Sequence, residues 1–157
     1  MRLAGLILVL SLVQLAEPPK HLTVTATTSA ARAAAGSKVS LFLDIVPNPR
    51  IHVYAPGAKE YVPIAVTMDP RAGVTFGALK YPKAETMEFD GERVPVYQKP
   101  FRLAEEVSLG SSLKATTLTL TGTVKYQACD DRVCFIPVSV PVKWTMTVGS
   151  GRSGPDL

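Results

Sequence analysis

Cysteine, histidine and tryptophan are scarce in this chain: two, two and one in 157 residues. Two cysteines cannot complete a zinc site alone, and neither His21 nor His52 stands at ligand spacing from them. No histidine follows Cys134 as a blue-copper ligand set requires. The composition therefore implies no metal and no cofactor. Basic residues are not gathered with aromatics on any one segment, and the formal charge is only +4, which disfavours nucleic acid as a partner. Long stretches with helical apolar spacing are missing too, and beyond residue 15 no apolar run approaches the ~20 residues that a bilayer span needs.

What the chain does have is threonine, valine, thirteen prolines and eleven glycines, the composition of an all-β fold. The start, Met1-Arg2, then an apolar run from Leu3 to Leu15, then Ala16 before Glu17-Pro18-Pro19, resembles a secretory signal covering residues 1–16. Gln14 is a poor −3 residue for cleavage, so an uncleaved membrane anchor is the second reading, and the only route to a membrane. Export places the cysteines where disulfides persist.

Alternation predicts strands at Leu22 to Ala26, Val39 to Ile45, Ile51 to Tyr54, Val62 to Met68, Gly73 to Phe76, Val94 to Tyr97, Pro100 to Val107, and on both sides of the cysteines. Ala30 to Gly36 reads as a small-residue connection. Prolines 63, 95, 100, 137 and 141 belong at edges or bulges. Seven to nine short strands over residues 20–148 fit an immunoglobulin-like β-sandwich, with residues 149–157 a flexible tail.

The cysteines supply the chemistry. Leu118, Leu120, Val124 and Tyr126 alternate with polar residues before Cys129, and Ile136, Val138, Val140, Val142, Trp144, Met146 and Val148 do so after Cys134. If these runs pair across Asp130-Asp131-Arg132-Val133, the cysteines oppose each other with Cα atoms about 4.5–5.5 Å apart, within reach of a disulfide. Two readings follow. A structural staple closing so short a ring is worth only about 2 kcal/mol. A redox pair uses the same geometry to open and close with little backbone movement.

A resemblance bears on that choice. Tyr126-Gln-Ala-Cys129 and Cys134-Phe-Ile-Pro137 are similar to the active-site hairpin of the N-terminal periplasmic domain of DsbD-type thiol:disulfide interchange reductases. Ile51-His-Val-Tyr54 resembles that domain's tyrosine-rich strand, and Met87-Glu-Phe-Asp-Gly91 its cap loop. The resemblance implies an immunoglobulin-like domain that takes electrons from a thioredoxin-like donor and passes them to periplasmic disulfide-bearing proteins. It implies Cys134 as the attacking cysteine, Cys129 as the resolving one, Phe89 as a lid, and Tyr54, His52, Glu88 and Tyr126 as cap or lining residues.

The chain departs from the pattern in places. Met87 stands for one acid of the family's cap pair, leaving Glu88, and His52 stands for a tyrosine. With an ordinary pKa near 6.5, a histidine facing the cysteines could donate or accept a proton. Asp130 and Asp131 would raise a thiol pKa and Arg132 lower it. No membrane or thioredoxin-like domain follows the sandwich, so the donor is expected on another polypeptide. The rival reading is a non-catalytic interaction domain whose disulfide only stiffens a loop.

Overall fold

The computed structural model describes residues 21–149 apart from Asp90 and Ala115, so the expected signal and all of the expected tail beyond Gly149 lie outside the described residues. The described residues form twelve strands and no helix. These are β1 (Leu22–Thr28), β2 (Arg32–Ala34), β3 (Lys38–Pro47), β4 (His52–Tyr54), β5 (Ala65–Met68), β6 (Val74–Phe76), β7 (Glu85–Phe89), β8 (Glu92–Tyr97), β9 (Phe101–Leu109), β10 (Thr116–Tyr126), β11 (Ala128–Cys129) and β12 (Val138–Gly149). They build three four-stranded sheets, ordered β1-β3-β9-β6, β2-β12-β10-β5 and β11-β4-β8-β7.

The period-two pattern does its work in the first two sheets. Leu41, Leu43, Leu103 and Val107 from one join Leu118, Leu120, Trp144 and Met146 from the other in one buried core, while the intervening threonines of β10 face out. The indole of Trp144 donates to Phe42 O at 3.0 Å and so ties the sheets together. This is the expected immunoglobulin-like sandwich, with short strands such as β2 and β11 added to those that alternation reveals.

Three local differences have physical causes. The Ala30–Gly36 connection contains β2, held by parallel pairing to the end of β12 (Thr147↔Arg32 to Gly149↔Ala34) rather than by any apolar period of its own. The strand expected from Val62 starts only at Ala65, because the backbone N–H of Ile64 is taken by Tyr54 O at 2.8 Å. Met87-Glu88-Phe89, expected in a loop, is the end of strand β7, which turns into β8 through Gly91 at a φ of 80°.

One inward position is polar. Glu105 lies on the core face of β9 between Leu103 and Val107, is 7% exposed, and has its pKa raised by burial. A carboxyl whose folded pKa exceeds its unfolded one gives up stability as pH rises through those values. Glu105→Gln should therefore raise the melting temperature by a few degrees at pH 7. The gain should vanish at a pH low enough to protonate the glutamate in both states, as thermal unfolding across pH will establish.

Candidate active site

The third sheet carries the cysteines, and its two faces have different tasks. Val53, Ala128 and Tyr97 point into the main core, whereas Cys129, Tyr54, Val94 and Val96 form a second, smaller cluster against which Tyr61, Met87 and Phe89 pack. Strand register sets this division: Cys129 pairs with His52, Ala128 with Val53, and Tyr54 with Val96. Residues opposite one another in an antiparallel pair share a face, so Cys129, His52 and Tyr54 lie together.

The chain reaches this sheet by leaving another. β10 and β12 pair from Thr116↔Val148 to Tyr126↔Val138, and continuing that register would set Cys129 opposite Phe135. Instead Cys129 bridges Cys134, because Gln127 and Ala128 are matched on the return limb by Phe135, Ile136 and Pro137. The extra residue is a bulge. Gln127 secures the break: its amide nitrogen donates to Phe135 O at 3.2 Å, and its carbonyl oxygen accepts from Val62 N at 3.1 Å. Phe135, whose N–H donates to Ala128 O at 2.9 Å, stacks on His21 with ring centroids 3.8 Å apart.

Cys129 and Cys134 form a disulfide with Cα atoms 4.1 Å apart. Their surroundings are unequal. Cys129 is 1% exposed, whereas Cys134 is an exposed residue. Exposed apolar side chains flank Cys134, with Val133 at 54% and Ile136 at 75%. Ile136, which alternation with Val138 and Val140 sets in the half-buried run after Cys134, lies before β12 begins and is exposed instead; Val133 carries only the signal of an apolar residue beside a charged turn.

The Tyr54 hydroxyl stands 3.1 Å from Cys129 Sγ and 3.4 Å from Cys134 Sγ. Its ring stacks on Tyr61 at 3.9 Å, and burial, then Tyr61, push its pKa well above the ordinary tyrosine value. It therefore stays a proton donor at any working pH. His52 is 2% exposed, its Nε2 without a hydrogen-bond partner, its ring 5.4 Å from that of Phe89 and 5.5 Å from that of Tyr54. Burial lowers its pKa, opposed by Asp131 and Asp130.

Two expected lining residues lie elsewhere. Tyr126 is fully buried in the main core, because the period of β10 turns it inward with Val124 and away from the sulfurs. Glu88 is exposed and pairs in register with Arg93: strand alternation turns Met87 and Phe89 to the disulfide's face and Glu88 to the other. In the hairpin turn, Asp130 Oδ1 accepts from Arg132 N and Val133 N, both at 2.7 Å, and these bonds hold its carboxyl below the usual range. Arg50 joins Asp130, Asp131 and Arg132 around one cleft beside the turn, a cation not expected there from sequence.

A sandwich that holds a disulfide at its rim, one sulfur sealed and one presented, with a tyrosine donor on both, defines a thiol:disulfide exchange domain. The family described as the N-terminal domain of thiol:disulfide interchange protein DsbD matches residues 20–143, and the chain belongs to it. Its fold is similar to the N-terminal periplasmic domain of ScsB from Proteus mirabilis, at TM-score 0.55 and 16% identity over 89% of this chain and 52% of that one. The chain thus spans about half the length of that relative. It is similar also to a DsbD N-terminal domain from Neisseria meningitidis, solved in complex with the PilB N-terminal domain. There the TM-score is 0.51 and identity 18%, over 80% of this chain and 84% of the other. No curated protein matches the sequence.

A hydroxyl donor favours a thiolate more than a disulfide sulfur, so Tyr54, within reach of the exposed Cys134 sulfur, stabilises the reduced state through the Cys134 thiolate. Tyr54→Phe should make the reduction potential more negative by about 30–60 mV, the equivalent of one ~1.5–3 kcal/mol hydrogen bond to a charged group. Equilibration with glutathione redox buffers measures it.

Proposed function

We propose that this domain is an exported electron carrier that receives electrons from a thioredoxin-like donor on another chain and passes them to periplasmic proteins bearing disulfides. The observation that carries this reading is the inequality of the two sulfurs. Exchange begins when a thiolate reaches a sulfur in line with the S–S bond, so access selects the site of attack. Cys134, exposed among Val133 and Ile136, forms the mixed disulfide; Cys129, buried against Tyr54, resolves it. The two apolar side chains offer a small docking surface for a partner's own active-site rim.

In the oxidising step, Cys134 thiolate attacks an acceptor's disulfide, releasing one acceptor thiol, and Cys129 then closes on Cys134 to release the second. Two electrons leave the domain, and the acceptor ends as a dithiol. The donor runs the same steps in reverse. Phe89, packed on the cluster around Cys129, covers the buried sulfur, leaving Cys134 as the one small thiols meet, and a docked protein partner displaces it. The domain boundaries at residues 20 and 148 and the signal at 1–16 belong to this reading. Support for export comes from the family and from the periplasmic origin of the ScsB domain.

Cys129→Ala should capture, through Cys134, a thioredoxin-like domain whose single remaining cysteine is activated as a thionitrobenzoate disulfide. Cys134→Ala, which leaves only the buried sulfur, should react on the order of 100-fold more slowly. Equal rates, or a wild-type potential below about −300 mV, where structural disulfides lie, would return the domain to the stapled, non-catalytic class. Phe89→Ala should speed reduction of the wild-type disulfide by glutathione several-fold in stopped-flow measurements, with the potential little changed.

A further inference from the structure

The disulfide's buried side poses a problem that its exposed side does not. Resolution requires Cys129 as a thiolate, yet burial raises a thiol's pKa and keeps it protonated. Some neighbouring group has to accept its proton.

Among the described residues, the groups facing Cys129 are few. From β4 come His52 and Tyr54; from the loop after it, Tyr61; from β7, Met87 and Phe89; from β8, Val94 and Val96, with Glu92 at the far end opposite Phe89. The hairpin turn contributes Asp130 and Asp131. Tyr54 already carries a proton that burial holds in place, so it can donate but not accept. Asp130 is occupied by two turn amides, and Glu92 and Asp131 are exposed. β7 brings a methionine to this face; of its two acids, Glu88 points the other way, and Glu85, opposite Val96 on this face, is drawn to the Lys99 ammonium at 3.3 Å and is partly exposed. What remains is an imidazole opposite Cys129 in the strand register, 2% exposed, with Nε2 unpartnered.

We propose that His52 is the proton acceptor for Cys129, taking the thiol proton as the buried sulfur closes on Cys134. This rests on the exchange reading above and assigns the proton within it. Cys129–SH gives its proton to neutral His52; the thiolate attacks Cys134 Sγ; the bond from Cys134 to the partner breaks, and the partner leaves as a thiolate. Burial, which lowers the imidazole's pKa, keeps it in the neutral, accepting form, and returns the proton once the thiolate is consumed. Asp131 and Asp130 act in the opposite sense and steady the imidazolium during the step.

The test follows closure without any protein partner. Reduced full chain is mixed with oxidised glutathione, quenched with acid at intervals, and the Cys134–glutathione adduct is quantified by mass spectrometry from pH 5.5 to 9. In the wild type the adduct should scarcely accumulate at pH 7. His52→Gln should accumulate it and close on the order of 100-fold more slowly, the scale of general-base assistance, with the gap narrowing toward pH 9 as the thiol ionises unaided. His52→Tyr, which restores an aromatic hydroxyl but no base, should behave like His52→Gln. Adding His52→Gln to Cys129→Ala should leave the rate of adduct formation unchanged. Closure at the wild-type rate in either variant, or slowing by one constant factor at every pH, would overturn the assignment, the latter marking a displaced strand. Because glutathione stands in for the acceptor, failure to capture a thioredoxin-like domain would sink the functional reading while leaving these rates interpretable.

Discussion

The site depends on a one-residue mismatch in a β-hairpin. Three residues on the return limb answer two on the outgoing limb, and the shift moves Cys134 into the place that the β10–β12 register reserves for Phe135. Without it, a sulfur would face a phenylalanine and no bond could form. At the same break the outgoing limb abandons the sandwich sheet for β4, which lays Cys129 on the face that holds Tyr54 and His52. Gln127 fixes both events through its two amide contacts. A side chain that touches neither sulfur thus determines where both of them sit.

The third sheet is what makes an exchange site compatible with a stable domain. Its inner face, Val53, Ala128 and Tyr97, is continuous with the sandwich core and holds the sheet in place. Its outer face is freed from that duty, and the Tyr54–Val94–Val96–Cys129 cluster on it is small enough to be uncovered without disturbing the fold. A disulfide closing so tight a loop contributes only about 2 kcal/mol on chain-entropy grounds. The large two-sheet core does not need that contribution, so the bond can be broken and remade as part of a cycle.

How far the sequence discloses this can be traced through individual residues. Leu118, Leu120, Trp144 and Met146 announce their strands, because a half-buried strand writes its two faces directly into alternate positions. The opposition of the cysteines could be anticipated from the flanking runs, and Tyr54 from family resemblance. The bulge could not: Phe135-Ile136-Pro137 carries no mark saying that one of its residues goes unpaired. Glu88 was misplaced for a related reason. Read as part of a loop, Met87-Glu88-Phe89 has no defined facing; as the end of β7 it must send its middle residue away from its neighbours. β2 was invisible because its pairing comes from β12, a partner more than a hundred residues distant in the chain. Family resemblance implies Tyr126 as a lining residue, but the period of β10 turns it into the main core.

Two departures from the family pattern are connected by that same geometry. Position 87 is the cap position that faces the disulfide, and position 88 the one that does not. Placing methionine at 87 removes a carboxylate from the face on which the buried sulfur lies, and with it a group able to exchange protons there. Placing histidine at 52, opposite Cys129, restores such a group on the neighbouring strand. The change also alters what proton handling is tied to. A carboxylate on the cap would leave the sulfurs whenever a partner pushed the cap aside, whereas an imidazole on β4, between β8 and β11, keeps its place when the cap moves. With His52 as the base we propose, the proton relay is independent of the cover, and the buried cysteine retains its base while a partner is docked, when resolution has to occur.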